Sequence, residues 1–127
     1  MTTDTFTLTA ATAIEVRAAR RALMHWLDGW ACGRTSDAML VFSELATNAV
    51  KHAGGVAGIR VVHGDHRLHF EIHDQEHAAP VVRTSGGAEG GFGLRIVEQL
   101  SAGWGWTQTA TGKIVWADLP CCTDEPD

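Results

Sequence analysis

The stretch SELATNAVKHA, residues 43–53, places four polar side chains on one side of a predicted helix. At about 100° per residue, Asn48 lies roughly 40° from Glu44, with Lys51 about 20° to its other side and His52 about 80° away. A carboxylate, an amide and two basic groups inside an otherwise apolar helix are poorly explained by packing. On the spacing alone, a solvated helix face and a site for a metal-bound polyphosphate both remain open.

The second interpretation gives each of these groups a role. Asn48 offers a neutral oxygen to Mg²⁺, which favours few protein ligands together with substrate phosphates. Glu44 could act as a general base for a hydroxyl or water that attacks a phosphoryl group, and Lys51 or His52 could contact phosphate oxygens. Val41 falls inside the polar sector. The apolar side chains of this helix that we expect to face a core are Met39, Phe42, Leu45, Ala46, Ala49 and Val50.

Hydrophobic periodicity predicts the other elements around this helix. The alternation at 5–10 predicts an edge strand, and apolar residues at three- and four-residue steps predict an amphipathic helix over 13–31. The helix that carries the polar sector is predicted over 37–53. The predicted elements after the hairpin are a helix at 94–101 and strands at 103–109 and 113–119. This order is typical of an α+β two-layer sandwich, in which helices cover one face of a mixed, mainly antiparallel sheet.

A hairpin is predicted between the second and third helices. Residues 64–65, Gly-Asp, suit a two-residue turn with glycine first. That turn pairs Val61 with Leu68 and Ile59 with Phe70, which puts all four apolar side chains on one face. The hairpin histidines mostly alternate on its polar face, which favours surface positions over a metal site; they are His63, His66, His69 and His73.

Length and composition restrict the class of protein. With 127 residues, 45% of them hydrophobic, we predict one domain over 1–120 and an acidic, flexible tail at 121–127. The net charge of −5 argues against nucleic acid as a direct partner. We expect neither a secretory leader nor a membrane span. The three cysteines, including the adjacent Cys121 and Cys122, lack disulfide or metal-ligand spacing, which favours the reducing cytoplasm and leaves the role of that pair open.

Two further motifs follow the hairpin. Asp74 ends its second strand, where a carboxylate is either a plain strand end or an acceptor for an exocyclic amine such as that of adenine. Residues 90–97 read GGFGLRIV. Glycines let backbone N–H groups approach phosphates, and the helix N-terminus that follows favours anions. The run is neither a Walker loop nor a dinucleotide fingerprint, so a flexible loop and a phosphate-holding loop of another type remain.

These three motifs, in this order and at these separations, resemble those of the GHKL (Bergerat-fold) ATPase family. The stretch at 43–53 resembles its N box, EIHDQEHAAP at 71–80 its G1 box, and the glycine run its G2 box and lid. Residues 104–105 (Trp-Gly) and 112–116 (GKIVW) are similar to a smaller branch. That branch comprises the anti-sigma-factor serine/threonine kinase-like ATP-binding proteins of actinobacterial type. The resemblance extends from about residue 13 to residue 119.

The resemblance implies a role for each matching residue. Asn48 would be the Mg²⁺ ligand, Glu44 the catalytic base and Asp74 the adenine-binding carboxylate. The remaining positions that it implies in the binding of ATP are Lys51, His52, Gly91, Gly93 and Leu94. Two positions depart from the family pattern: Glu76 replaces a common glycine, and Ile114 replaces a threonine expected near the base.

The function that the resemblance implies is that of an ATP- and Mg²⁺-dependent protein serine/threonine kinase. Such proteins hold a sigma factor inactive and phosphorylate an anti-anti-sigma (STAS-domain) partner, and a homodimer is possible. The two departures keep a catalytically weak or inactive protein-binding module of the same fold open as an alternative. A detached histidine-kinase catalytic domain is less favoured, because no dimerisation helix pair with a phosphoacceptor histidine precedes the ATPase motifs.

Overall fold

A layer of helices covers one face of a five-stranded sheet in the computed structural model, which describes residues 4–28, 34–53, 57–64, 66–76 and 93–120. The elements are β1 (Asp4–Ala10), α1 (Ala13–Leu27), α2 (Thr35–Ala53), β2 (Ala57–Gly64), β3 (Arg67–Asp74), α3 (Gly93–Leu100), β4 (Gly103–Gln108) and β5 (Lys113–Pro120). The predicted α+β class and element order are confirmed. None of the described helices is long and apolar enough to cross a bilayer. The predicted tail at 121–127, with Cys121 and Cys122, lies outside the described residues.

The sheet has the strand order β1-β2-β3-β5-β4, and all pairings among its described strands are antiparallel. The mixed sheet that we expected therefore contains no parallel pair in the described part of the chain. β5 lies between β3 and β4, so the chain passes through α3 and the outer strand before it returns beside β3. This topology pairs the last residue of β3, Asp74, with the first residue of β5, Lys113.

Strict alternation in the central strands separates a core face from an open face. In β3 the buried residues are Leu68, Phe70, Ile72 and Asp74. In β5 they are Lys113, Val115, Ala117 and Leu119. Because side chains alternate with a period of two, each of these rows lies on a single face, and the helices pack against that face. α1 reaches the β1 edge of the sheet, where the rings of Phe6 and Trp26 lie 5.7 Å apart.

The hairpin between β2 and β3 turns one residue later than the sequence predicted. Val61 pairs with Phe70, and Gly64 pairs with Arg67, so the predicted register is wrong. His66 has a φ of 61°, which lies in the left-handed region that two-residue hairpin turns commonly use. The predicted core face survives, because moving the turn by one residue displaces each pairing by two positions, and a shift of two keeps every side chain on its face.

The helix bounds also differ from the predicted ones. α1 ends at Leu27, and Asp28 is its C-cap, with its backbone N–H donating to the carbonyl oxygen of Met24 at 3.0 Å. The prediction over 13–31 therefore ran too far. A glycine follows Asp28 in the sequence, and glycine favours the end of a helix. α2 begins at Thr35, slightly before the predicted start.

The open face of the sheet is shaped by a tryptophan that lies across its neighbouring strand. Trp116 on β5 is half-buried, and its ring stacks on that of His69, with the ring centroids 6.2 Å apart. A Cβ at Gly105 on β4 would lie 2.9 Å from the indole of Trp116, so only glycine leaves room for it. His63 is the exception among the hairpin histidines, since it is fully buried on the core side of β2.

Candidate functional site

The predicted polar sector of α2 lies at the margin of its buried face. Glu44 and Asn48 are half-buried, whereas Lys51 is exposed. Val41 was wrongly placed in the polar sector, since it is fully buried. α2 packs against the sheet and against both other helices, so its buried arc is wider than an amphipathic stripe. The confirmed core residues of this helix are Met39, Phe42, Leu45, Ala46 and Ala49, with Val50 partly buried against them.

The elements that carry the three motifs contact one another. α2 packs against α3 and against β3, so Glu44 and Asn48 lie on a helix that borders both of the other motif-bearing elements. α3 begins at Gly93, and Leu94 in its first turn is 1% exposed within the hydrophobic core. The side chain of Leu94 therefore anchors the helix, and what this turn can offer a ligand is backbone N–H groups. Gly91 and the side chain of His52 lie outside the described residues.

Asp74 is a buried carboxylate at the end of a core-facing row. It continues the row of Phe70 and Ile72 on β3, and its side chain is only 2% exposed. The backbone N–H of Glu76 donates to Oδ1 of Asp74 at 2.9 Å, which fixes the carboxylate in an Asx-type turn. Gly112 packs against the backbone of Asp74, where a Cβ on Gly112 would overlap the carbonyl oxygen of Asp74. The close approach of these two strand ends therefore requires glycine at position 112.

Lys113 is the site residue that sequence reasoning missed. Its Nζ lies 3.1 Å from Oδ1 and 3.1 Å from Oδ2 of Asp74, and its side chain is 5% exposed. The same ammonium donates to the carbonyl oxygen of Glu76 at 3.2 Å. The alternation in β5 predicts that Lys113 faces the core, because residues 113, 115 and 117 lie on the same face of a strand and Val115 and Ala117 are apolar.

Ile114 lies on a different face from the one that the resemblance to GHKL ATPases led us to expect. It pairs with His73 and lies on the open face of the sheet, opposite to the face of Asp74. Alternation in β5 points the side chain at position 114 away from Asp74, so a threonine there would not place its hydroxyl beside that carboxylate. Lys113 fills this place instead. Glu76, the other departure, contributes through its backbone, with its N–H and carbonyl oxygen both bonded to the Asp74–Lys113 pair.

The open face carries a second cluster of charged groups. Nδ1 of His69 lies 2.6 Å from Asp118, and its Nε2 lies 3.0 Å from Glu71. Glu71 also contacts His73 at 3.1 Å and Arg60 at 3.5 Å. Burial raises the pKa of Glu71, but the hydrogen bonds from His73 and His69 outweigh it. The charge of Arg60 also favours the carboxylate, and the pKa ends below its ordinary value of 4.5.

This cluster does not have the arrangement of a metal centre. The two ring nitrogens of His69 point to different carboxylates, so the ligand atoms do not converge on one point. Among the residues that the structure describes, no group of histidine, cysteine or acidic side chains is arranged to hold a metal ion. His69 and His73 lie on the open face of the sheet, as the sequence predicted.

Lys51 borders a groove between α1 and α2. The groove has a volume of about 460 Å³, and Arg17 and Arg20 of α1 line it together with Lys51. Three cations on one surface favour an anionic ligand or partner there. The resemblance to GHKL ATPases implies a contact between Lys51 and a phosphate of ATP, and this contact stays a prediction.

The side-chain oxygen atoms that α2 and β3 present fit a magnesium-bound adenine nucleotide. Asn48 and Glu44 offer oxygen atoms of the kind that Mg²⁺ and phosphoryl chemistry use, and their half-burial leaves them within reach of a ligand. Asp74 offers a fixed carboxylate acceptor of the kind that an exocyclic amine requires, although it shares this acceptor with Lys113.

Comparison with known proteins supports this interpretation of the fold. Residues 9–119 match the model of a family described as the histidine kinase-like ATPase domain. The match runs from the end of β1 into β5, so it includes α2, the end of β3 and α3. No curated protein matches the chain.

Proposed function

Because the chain belongs to the histidine kinase-like ATPase domain family, and so is an ATP-binding module of the GHKL type, we propose that it is an anti-sigma-type protein serine/threonine kinase. The observation that carries the proposal is the placement of Glu44 and Asn48. They lie one helical turn apart at the half-buried margin of α2, on a helix that contacts both α3 and β3. A general base and a metal ligand must be reachable by substrate and yet held in place, and this margin supplies both conditions.

Each residue then has a stated chemical task. The amide oxygen of Asn48 binds Mg²⁺, and the bound ion supplies charge neutralisation to the phosphates. Glu44 accepts the proton of a serine or threonine hydroxyl as the oxygen of that hydroxyl forms a bond to the γ-phosphorus. The bond from the γ-phosphorus to the β,γ-bridging oxygen breaks, and ADP leaves. Asp74 orients the nucleotide by accepting a hydrogen bond from its base. Positioning and charge stabilisation are most of what such a transfer requires from a protein.

The partners belong to the same proposal. The phosphoryl acceptor is a STAS-domain anti-anti-sigma protein, and the sequestered protein is a sigma factor, with the complex located in the cytoplasm. The basic groove beside Lys51 supports an acidic protein partner, since Arg17 and Arg20 line it as well. A homodimer is part of the same proposal.

A second candidate function is a protein-binding module with weak or no catalysis. One observation favours it: the buried Lys113 ammonium already occupies the carboxylate that would select adenine. Such a module sequesters its partner through the same fold, and nucleotide contributes little.

Phosphoryl transfer to a protein acceptor separates these functions. Purified chain is incubated with magnesium, γ-labelled ATP and a panel of purified STAS-domain proteins, and acid-stable label on the acceptor is measured. Replacement of a general base typically costs about 10²- to 10⁴-fold in rate, so Glu44→Ala should lose transfer while its ATP affinity changes by less than about threefold. Glu98→Ala, which removes an exposed carboxylate from α3, is the matched control and should keep full activity.

The outcomes are distinct. Unchanged turnover in Glu44→Ala removes Glu44 as the base. No binding of ATP by the wild-type chain at millimolar nucleotide removes the kinase and leaves the binding module. Acid-labile label on a histidine of a partner would instead identify a histidine-kinase catalytic domain.

A further inference from the structure

The buried ion pair at the end of β3 has a consequence for nucleotide selection. We propose that Lys113 competes with the nucleobase for the carboxylate of Asp74 and so weakens both the affinity and the selectivity for adenine. This inference rests on the proposed function, in which Asp74 accepts a hydrogen bond from the base. It assigns to Lys113 the role of a specificity-determining residue.

The ammonium of Lys113 is held by two hydrogen bonds and an ion pair. Nζ of Lys113 is equidistant from both oxygens of Asp74, at 3.1 Å each, and lies 3.2 Å from the carbonyl oxygen of Glu76. Two of the three N–H donors of this ammonium bond to Oδ1 of Asp74 and to the carbonyl oxygen of Glu76, and Oδ2 adds an ion-pair contact. The contact is also dry, since the two side chains are 5% and 2% exposed. Lys113 is therefore held at the carboxylate by more than one bond.

The acceptor capacity that remains for a base is small. A carboxylate has about four lone-pair sites. Oδ1 of Asp74 already accepts from Lys113 and from the backbone N–H of Glu76, and Oδ2 lies 3.1 Å from the same ammonium in the ion pair. An exocyclic amine must therefore share Oδ2 with a cation or displace that cation from a buried site. Either route weakens the binding of the base relative to a carboxylate without a bound ammonium.

The chemistry of the ammonium also predicts the relative affinities for nucleotides with different bases. Adenine presents an amine at C6, which donates, whereas hypoxanthine presents a carbonyl oxygen there, which accepts. A carboxylate alone favours the amine, because a carbonyl facing it leaves both groups without a donor. With Lys113 beside the carboxylate, the carbonyl finds a donor. The wild-type protein should therefore discriminate poorly between ATP and ITP.

The test measures base and phosphate contributions separately by titration calorimetry. The probes are MgATP, MgITP, adenosine and magnesium tripolyphosphate. Lys113→Met removes the charge and keeps most of the volume, and Lys113→Gln is a second variant that keeps a neutral donor. Arg67→Met, which removes an exposed cation at the opposite end of β3, is the matched control. Circular dichroism verifies that each variant is folded.

We expect Lys113→Met to gain affinity only for ligands that carry the adenine base. A hydrogen bond to a charged group is worth roughly a tenfold to hundredfold change in affinity. Lys113→Met should therefore bind MgATP and adenosine about tenfold to hundredfold more tightly than the wild type, with tripolyphosphate affinity unchanged. Wild type should prefer ATP to ITP by less than about tenfold, and Lys113→Met should raise that ratio. Arg67→Met should match the wild type with every probe.

Two outcomes overturn the inference in different ways. If folded Lys113→Met binds MgATP no more tightly than the wild type, or if wild type prefers ATP to ITP by more than a hundredfold, Lys113 does not compete with the base. The ATP–ITP comparison uses only the wild-type chain, so it decides the question even where a variant fails to fold. If no folded chain binds MgATP or tripolyphosphate, the proposed function fails, and the inference fails with it.

Discussion

Removal of either partner of the Asp74–Lys113 pair should destabilise the protein severely. Asp74→Asn leaves a buried ammonium without a counter-charge, and Lys113→Met leaves a buried carboxylate with only the backbone N–H of Glu76. Loss of one partner from a buried ion pair costs about 3–5 kcal/mol of unfolding free energy. For a chain of 127 residues, about 4 °C of melting temperature per kcal/mol converts this cost to a loss of roughly 12–20 °C.

The double variant should be less harmful than the sum of the single ones. Asp74→Asn together with Lys113→Met removes both charges, so neither is left unpaired in the core. We expect a coupling energy of about 2–3 kcal/mol between the two positions. The observable is urea-induced unfolding followed by tryptophan fluorescence, with the slope of the transition compared among variants to verify that they share one unfolding mechanism.

An exposed ion pair provides the control. Arg34 and Asp37 lie 2.9 Å apart, but their side chains are 35% and 38% exposed. Asp37→Asn should therefore cost less than about 1 kcal/mol. If Asp74→Asn and Lys113→Met each cost no more than this control, and their effects add, the ammonium of Lys113 is not held in a buried pair.

Two further predictions concern the α2 margin and the open face of the sheet. Asn48→Ala should lower ATP affinity in the presence of magnesium and leave it unchanged with EDTA, as measured by calorimetry, because only the metal ligand is lost; equal affinity of both chains in magnesium contradicts the metal assignment. Because the pKa of Glu71 is lowered from 4.5 on folding, ionised Glu71 stabilises the protein above that pH, and the stabilisation is lost as the pH falls through the lowered pKa. Urea unfolding should show wild type more stable than Glu71→Gln at about pH 6, and the difference should shrink as the pH falls below 4.5; equal stability of the two proteins at about pH 6 would contradict the lowered pKa.

Local patterns in the sequence were sufficient for much of the fold. The apolar alternation around Phe70 and Ile72 predicted the inner face of β3, and it stayed correct although the hairpin register was wrong. The reason is that the period of a strand is two, so a turn displaced by one residue preserves the faces. The half-buried margin of α2 was likewise visible in the spacing of Glu44 and Asn48.

Three residues lie elsewhere than expected, for different reasons. Val41 is buried because α2 packs against the sheet and against both other helices, whereas His63 is buried because it shares the core face of Val61 by strand alternation. The position of Ile114 was taken from a family pattern, whereas its face is set by its pairing with His73. The burial of Val41 depends on contacts between elements distant in sequence, whereas the faces of His63 and Ile114 follow from strand alternation, which is a local pattern.

The sequence by itself determined the order of the elements, the faces of the central strands and the helix that carries Glu44 and Asn48, because each depends on a periodicity of a few residues. Only the tertiary structure decided that the carboxylate of Asp74 is shared with Lys113. That contact joins residues 39 positions apart, and it forms because β5 returns between β3 and β4 to lie beside the end of β3. The burial that makes the pair energetically important is likewise a property of the packed layers.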